Sequence, residues 1–255
     1  MTTPLTLCVI TRDAASDLAL CLGSVPFADE VLVVDSGSRD DTVELARRLG
    51  ARVVEHAWPG FGPQKNFAIA NAHNDWVLCL DADERLSPEL AARVRDVLSQ
   101  PQAPAASGYT MARRNRFLGR WLKHGEGYPD WNLRLFDRRR GRWSDDAVHE
   151  HVLVDGPVQR LRGDLLHASA ESLENYLDKQ NRYTTLQAQA LHARGERPRL
   201  SRMLLSPLVR FVRFYFFRLG FLDGIPGLVH IVIGCGNSFM KYAKLRELHH
   251  LEEST

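Results

Sequence analysis

The sequence predicts an α/β protein with a mostly parallel sheet that carries helices on both faces, followed by a C-terminal amphipathic helical region. Over the first hundred residues, apolar runs suited to buried strands alternate with helical patterns; Leu5–Thr11, Glu30–Asp35 and residues 76–80 are such runs. This alternation is typical of strand–helix–strand units, which build parallel sheets. From Ser172 onward the pattern is helical.

Capping residues predict where four helices of the first hundred residues begin. They are Ser16 before a helix over 17–24, Asp41 with Glu44 as a capping box before a helix closed by Gly50, Pro63 in the first turn of a helix through residue 72, and Ser87-Pro88 before a helix that places Leu90, Val94 and Leu98 on one face.

A low-complexity segment, QPQAPAAS at 100–107, suggests the internal boundary. We therefore predict a domain over residues 1–170 with two halves, at 1–99 and 108–170. Residues 171–255 are predicted to form a separate helical region.

Composition excludes several functional classes. The 255 residues are 44% hydrophobic and 25% charged, an ordinary globular composition, and the net charge of +2 does not suggest a nucleic-acid-binding protein. No C-x-x-C pair occurs among the four cysteines, and Cys8 and Cys79 fall in predicted buried strands. With no signal-like pattern at the N-terminus, we expect reduced thiols and a cytoplasmic location.

The most informative stretch is WVLCLDADE at 76–84, in which an apolar strand ends at Asp81 and Asp83. Ligands of open α/β sheets bind outside the carboxyl ends of the strands. Two carboxylates there are oxygen ligands suited to Mg²⁺ or Mn²⁺ bridging a diphosphate. A surface turn or a helix start is the alternative interpretation of D-x-D alone.

Several motifs in a fixed order resemble the inverting family 2 glycosyltransferases of GT-A (Rossmann-like) fold. In the first half they are the strand before Thr11-Arg12-Asp13, VVDSGSRDDT at 33–42, GPQKNFAIA at 62–70 and LDADE at 80–84. The second half resembles the bacterial lipopolysaccharide-core β-1,4-glucosyltransferase branch in five segments, which are RRNRFLGRWLKHG, YPDWNLRLF, VHEHV, LLH and YLDKQNRYT.

The resemblance implies that residues 1–170 are the catalytic domain, with a nucleotide-sugar-binding half at 1–99 and an acceptor half at 108–170. It also implies roles for residues of the nucleotide-sugar site. It places Asp35 at the uracil base and Asp81 at the ribose, and it places Thr11, Asp13, Lys65 and Asn66 among the donor-binding residues. An Asx turn is the alternative for Asp35, a helix cap for Asp13, and a solvated side chain for Lys65.

The resemblance also implies the metal ligands and the base. Asp83 binds the metal that neutralises the leaving diphosphate, and His167 is a second ligand or a structural histidine. An inverting transfer needs one base for the acceptor hydroxyl. Glu150 occupies the matching position in His149-Glu150, and Asp145 and Asp146 are competing candidates.

Basic segments at 113–123 and 138–142, with Trp121, Tyr128 and Trp131 nearby, suit an anionic sugar acceptor. The hypothesis is transfer of a hexose, with glucose from UDP-glucose favoured, onto an inner-core lipopolysaccharide glycolipid. A polyprenyl-phosphate-linked acceptor and a non-catalytic nucleotide-sugar-binding scaffold are the alternatives.

The pattern of residues 204–219 predicts that the protein attaches to the cytoplasmic face of the inner membrane, because on a helix these residues place an apolar arc opposite a basic side. The arc consists of Leu204, Leu205, Leu208, Phe211, Val212, Tyr215, Phe216 and Leu219, and the basic side of Arg202, Arg210, Arg213 and Arg218. Packing of the arc on the protein's own sheet, or a homo-oligomer contact, is the alternative.

Overall fold

The computed structural model describes residues 3–100, 104–146, 150–168 and 172–253. The chain forms two compact units, one of Met1–Arg114 with Asp130–Ala168 and the other of Asn115–Pro129 with Ser169–Thr255. Residues 115–129, which the sequence analysis assigned to the acceptor half, therefore belong to the same unit as the C-terminal helices. Residues 101–103 of the predicted linker lie outside the described part of the chain.

The described strands are numbered in chain order. They are β1 (Leu5–Thr11), β2 (Glu30–Asp35), β3 (Arg52–Glu55), β4 (Trp76–Asp81), β5 (Glu84–Leu86), β6 (Gly108–Phe117), β7 (Arg120–Trp121), β8 (Asp130–Asp137), β9 (Gly141–Trp143), β10 (Val152–Val154) and β11 (Val158–His167).

The main sheet of the first unit has the strand order β3-β2-β1-β4-β8-β6-β11-β5. Strands β3, β2, β1 and β4 are parallel, whereas β8 pairs antiparallel with β4 and with β6, and β5 pairs antiparallel with β11. The α/β class is confirmed, but the sheet is mixed rather than mostly parallel. No helix lies between β6 and β8, and strands joined without a crossover helix pair antiparallel.

Four helices pack on this sheet: α1 (Ala15–Gly23), α2 (Thr42–Arg48), α3 (Phe61–Ala70) and α4 (Pro88–Leu98). Neighbouring residues of β1 enter different cores, since Leu7 and Val9 join one cluster and Cys8 joins the other. This alternation is the consequence of the two-residue period of a strand buried on both faces. The thiols of Cys8 and Cys79 are buried and free, as predicted.

Only one of the predicted side-chain caps forms. The Ser87 hydroxyl accepts hydrogen bonds from the Leu90 amide at the start of α4 and from the Asp164 amide on β11, at 3.2 and 3.0 Å. By contrast, α1 begins at Ala15, so Ser16 lies inside it and bonds Asp17. The capping box at Asp41 is wrong too, since its side chain makes no cap bond.

The two serines provide a matched test of this difference. Ser87→Ala leaves two amide donors without their acceptor, so we expect it to lower the free energy of unfolding by about 1–2 kcal/mol. Ser16→Ala should stay within about 0.5 kcal/mol of the wild type. Urea denaturation measures both, and equal effects would contradict the assignment of the cap.

The second unit contains β7 and the C-terminal helical elements. These are α5 (Leu173–Ala193), α6 (Leu200–Phe211), a π-helix (Val212–Phe217), a 3₁₀ helix (Gly220–Asp223) and α7 (Gly224–Glu253). The buried Asp223 carboxylate accepts from the amides of Lys123 and His124 at 2.9 and 2.7 Å and contacts the His124 ring. One carboxylate thus ties residues 115–129 to the turn that precedes α7.

The continuous α-helix predicted over residues 204–219 is wrong. The α-helix ends at Phe211, and the wider π-helical turns that follow rotate the later side chains away from the predicted arc. Among the described residues no single helix has the length and apolar content to cross a membrane. Residues Leu200–Phe217 and Gly220–Leu251 meet that test together, with a bend of 74° between them.

Candidate active site

The site lies where β1, β2 and β4 end, and its first component is a pair of interlocked loops. The Asp35 carboxylate at the end of β2 accepts hydrogen bonds from the amides of Gly37 and Ser38 at 2.9 and 2.8 Å. It also accepts from the hydroxyls of Thr11, at 3.1 Å, and Ser38. Asp35 therefore forms the Asx turn named above as its alternative role, and its contact with a base stays a prediction.

Asp13 fixes the first loop against the second. Its backbone has a φ of +50°, in the left-handed region that few residues other than glycine adopt. Its amide donates to the Ser38 hydroxyl and its carboxylate accepts from the Arg39 amide, at 2.8 and 2.7 Å. The Asp13 side chain thus holds the two loops together, and any donor contact by Asp13 stays a prediction.

Helix α3 brings two predicted residues to the site because it packs closely on the chain after β9. A Cβ on Gly62 would overlap the carbonyl oxygen of Ser144, so only glycine permits this approach. Asn66 then exchanges two hydrogen bonds with the backbone of Trp143, at 3.0 and 2.9 Å. The Asn66 amide is therefore used to anchor α3, and its donor-binding role stays a prediction.

Lys65 connects two of the predicted acidic residues. Its buried ammonium lies 2.9 Å from Asp81 Oδ1 and 3.0 Å from Glu150 Oε1. It also lies 4.4 Å from the centre of the Trp143 ring, within the range of a cation–π contact. Asp81, predicted to contact the donor, and Glu150, the candidate base, thus contact the same ammonium group. The alternative of a solvated Lys65 is wrong.

Two deeply buried charges of the site, Arg134 and Glu84, were not among the predicted residues. Arg134 on β8 contacts Glu84 at 2.7 Å and Asp81 at 3.1 Å, and Glu84 is fully buried. Glu84 also accepts from the Asp81 amide, which fixes the turn after β4. The sequence features that could have indicated them are the position of Glu84 at the end of LDADE and the arginine within the alternating strand NLRLF.

The neighbouring cations keep Asp81 ionised. Burial by itself raises the pKa of the Asp81 carboxyl, but Lys65 and Arg134 outweigh it and hold this pKa well below the usual range. Burial likewise acts to lower the pKa of Arg134, and Glu84 and Asp81 reverse the effect, so its pKa is raised. The cluster therefore consists of charged groups that compensate one another.

Asp83 and His167 meet at the same edge. The Asp83 carboxylate lies 3.1 Å from His167 Nε2, and the Asp83 carbonyl accepts from the Ala168 amide at 2.9 Å. The pairing of β5 with β11 causes this contact, because it sets His167 opposite Glu84, one residue after Asp83. Sequence reasoning placed both residues in a metal site, and the structure brings them together.

The donor set of Asp83 and His167 fits a divalent cation that also binds a diphosphate. The described residues contain no group of three or more His, Cys, Asp or Glu side chains arranged to hold a metal. One carboxylate oxygen and one imidazole nitrogen nevertheless suffice for Mg²⁺ or Mn²⁺ when phosphate oxygens and water complete the coordination. The Asp83 side chain is 39% exposed, which leaves room for such a ligand.

Among the three carboxylates considered as the base, Glu150 is the one that contacts the cluster. Its side chain is 18% exposed, whereas those of Asp145 and Asp146 are 78% and 55% exposed and pair with Arg142 and His151. His149, which forms part of the motif, lies outside the described residues.

Comparison with known proteins identifies the family. The model of the family "Glycosyl transferase family 2" matches residues 6–153, which include Asp81, Asp83 and Glu150. The chain belongs to glycosyl transferase family 2. It is 31% identical to the lipopolysaccharide core biosynthesis glycosyltransferase LpsC of Rhizobium meliloti, over 98% of this chain and 94% of that protein. It is 30% identical to an uncharacterized glycosyltransferase of Rickettsia typhi, over 94% and 86%.

Solved structures show more distant likeness to this glycosyltransferase. Mannosyl-3-phosphoglycerate synthase from Rubrobacter xylanophilus aligns with a TM-score of 0.48 at 17% identity, covering 78% of this chain and 77% of that one. TarS of S. aureus in complex with UDP-GlcNAc aligns with a TM-score of 0.47 at 13% identity, covering 98% and 92%.

The central arginine gives a test of the cluster. Arg134→Met leaves Glu84 buried without its closest cation, so we expect the free energy of unfolding to fall by about 3–5 kcal/mol. The comparison variant is Arg93→Met, whose exposed pair with Asp96 on α4 should contribute about 1 kcal/mol or less. Chemical denaturation measures both, and a small loss in Arg134→Met would contradict the central role of this arginine.

Proposed function

We propose that this family 2 enzyme transfers a hexose from a UDP-sugar to a glycolipid acceptor with inversion, with Glu150 as the base. The observation that carries the proposal is the convergence of Asp81, Glu150 and Lys65, in which one ammonium lies within 3.0 Å of both carboxylates. A site that only binds a nucleotide sugar has no need of a base.

The chemistry assigned to Glu150 is removal of one proton. The acceptor hydroxyl gives its proton to the carboxylate while its oxygen forms a bond to the anomeric carbon. The bond from that carbon to the diphosphate breaks, and UDP leaves with the electron pair. Since Lys65 contacts Oε1 of Glu150, Oε2 is the oxygen assigned to the proton.

Asp83 and His167 are the residues that would hold a divalent cation at the diphosphate. When bound, such a cation supplies Lewis-acid stabilisation of the leaving group. Asp83 supplies a carboxylate oxygen and His167 its Nε2, and their 3.1 Å contact shows that both reach the same point. Asp81 is already paired with Lys65 and Arg134, which supports its assignment to the ribose of the donor rather than to the divalent cation.

The acceptor class is inferred from the relatives and from one exposed pair. The lipopolysaccharide-core name of the Rhizobium relative, which matches nearly the whole chain, supports an inner-core glycolipid acceptor, and glucose from UDP-glucose stays the proposed donor sugar. In the first unit the Arg160 guanidinium lies 4.7 Å from the centre of the exposed Trp131 ring. An aromatic face beside a guanidinium suits a sugar that carries phosphate or carboxylate groups.

The direct test of the substrates is mass spectrometry of lipopolysaccharide from a strain in which the gene is deleted. We expect the core oligosaccharide to lose one hexose, and plasmid-borne wild type to restore it. Unchanged core sugars would reject the lipopolysaccharide acceptor, and accumulation of a polyprenyl-linked intermediate would favour the alternative acceptor.

The role of Glu150 is tested by Glu150→Gln, which keeps the shape of the side chain but removes the base. We expect UDP-sugar binding, measured by calorimetry, to persist while turnover falls by about a hundredfold or more. The matched control is Asp145→Asn, which changes an exposed carboxylate in the same segment and should leave turnover unchanged. Turnover within a few-fold of the wild type in Glu150→Gln would contradict the assignment of the base.

The cation site is tested through Asp83→Ala. Without this carboxylate we expect Mn²⁺ binding in the presence of UDP, followed by electron paramagnetic resonance, to weaken, and turnover to fall by about a hundredfold or more. Asp96→Ala, at an exposed position on α4, is the control. Full wild-type turnover in excess EDTA would show that no divalent cation is required.

A further inference from the structure

The second unit exposes many large apolar side chains between residues 204 and 225, termed here the apolar corner because they surround the 74° bend between Leu200–Phe217 and Gly220–Leu251. Its most exposed members are Phe217, at 80%, and Ile225, at 75%. The other exposed apolar side chains are Leu204, Leu205, Leu208, Val209, Val212, Phe216, Leu219, Phe221 and Leu222. So many large apolar side chains on one short segment mark an interaction surface.

The apolar corner contains most, but not all, of the side chains of the predicted arc. Phe211 and Tyr215, both assigned to the arc, stack on each other at 5.0 Å and are only partly exposed. Val209 and Phe217, which the α-helical projection did not include, are instead exposed at 64% and 80%. The apolar surface therefore survives the change of helix type, with partly different members.

The chain through the apolar corner carries only positive charge between residues 197 and 222, and Arg202 pairs with Glu196 just before this segment. From residue 197 to residue 222 the sequence contains six arginines and no aspartate or glutamate. Arg202, Arg213 and Arg218 are exposed, whereas Arg210 is half-buried and bonds Glu126 and Ser238. The predicted basic side thus loses Arg210, and the arginines that stay exposed still favour an anionic partner.

A second basic segment adjoins the apolar corner within the same unit. Residues Arg116 to Trp121 form a short antiparallel hairpin, with Leu118 exposed at 49% near its tip. The Arg120 guanidinium donates to the carbonyl of Leu222 at 2.9 Å, which fixes the hairpin beside the bend. Part of the basic segment assigned to an acceptor by sequence thus lies against the exposed apolar residues, and Arg116 and Arg120 add to the positive charge.

We propose that the apolar corner binds the surface of an anionic phospholipid membrane, with its apolar side chains in the interface and its arginines at the lipid phosphates. An exposed apolar face flanked by basic residues alone is the pattern of interfacial helices, and each cation near an anionic surface adds to the attraction. A protein partner of mixed charge would meet no acidic residue on the segment from 197 to 222.

The test uses the full-length protein and sedimentation with two kinds of vesicle. One kind is phosphatidylcholine alone, and the other is phosphatidylcholine with phosphatidylglycerol in equal parts. We expect the protein to pellet with the anionic vesicles at low salt and to be released in part as salt screens the arginines. No binding to anionic vesicles at low salt, or binding that salt and carbonate both fail to reverse, would overturn the proposal.

Paired variants separate the apolar contribution from a general loss of fold. Because Val209 and Phe217 are exposed, Val209→Ser with Phe217→Ser should leave the circular dichroism spectrum unchanged and weaken vesicle binding by about tenfold or more. The control, Leu186→Ser on α5, changes a side chain that is 47% exposed and lies outside the apolar corner, and should bind as the wild type does.

A second copy of the chain is the competing occupant. Sedimentation velocity without lipid distinguishes it, since the lipid proposal requires the wild type and the double variant to have the same oligomeric state. A wild-type dimer that the double variant dissociates would overturn the lipid proposal in favour of self-association. UDP-sugar binding by the double variant, followed by calorimetry, reports separately on the nucleotide site.

Discussion

The Asp81 carboxylate at the end of β4 is the charge on which the arrangement of the site depends. It is held between Lys65 from α3 and Arg134 from β8, at 2.9 and 3.1 Å. A partly buried carboxylate without such partners would have a raised pKa and would destabilise the fold. The same cations then define what surrounds it, because Lys65 reaches Glu150 and Arg134 reaches Glu84.

The site is thus assembled from both the parallel and the antiparallel parts of the sheet. The parallel strands supply the loops after β1, β2 and β4, which is the edge where ligands of open sheets bind. Strand β8, which is antiparallel to β4, supplies Arg134, and β11, the partner of β5, supplies His167. The mixed topology thus brings Arg134 beside Asp81 and His167 beside Asp83.

In the second unit, the sequence composition indicates an exposed apolar surface, but the local backbone conformation differs from the α-helix that was expected there. An apolar and arginine-rich segment stays exposed, but the π-helix and the left-handed Leu219, with a φ of +55°, decide which side chains form the apolar surface. Asp223 and Arg120 fix the hairpin at 116–121 beside it through bonds to backbone groups. The exposed surface therefore combines segments about a hundred residues apart in sequence.

The sequence by itself determined the strands and the sheet edge, because apolar runs such as Glu30–Asp35 and Trp76–Asp81 predict a strand and the acidic residue at the end of each marks where it stops. It also indicated Asp81, Asp83 and Glu150 through their resemblance to family motifs. Only the tertiary structure decided the partners. The local sequence around Arg134 and Glu84 does not distinguish them from solvated charges. The caps expected at Ser16 and Asp41 do not form, because α1 begins one residue before Ser16 and the Asp41 side chain makes no bond to the first turn of α2. Pairwise contacts between distant residues depend on strand order and helix packing, which local periodicity does not encode.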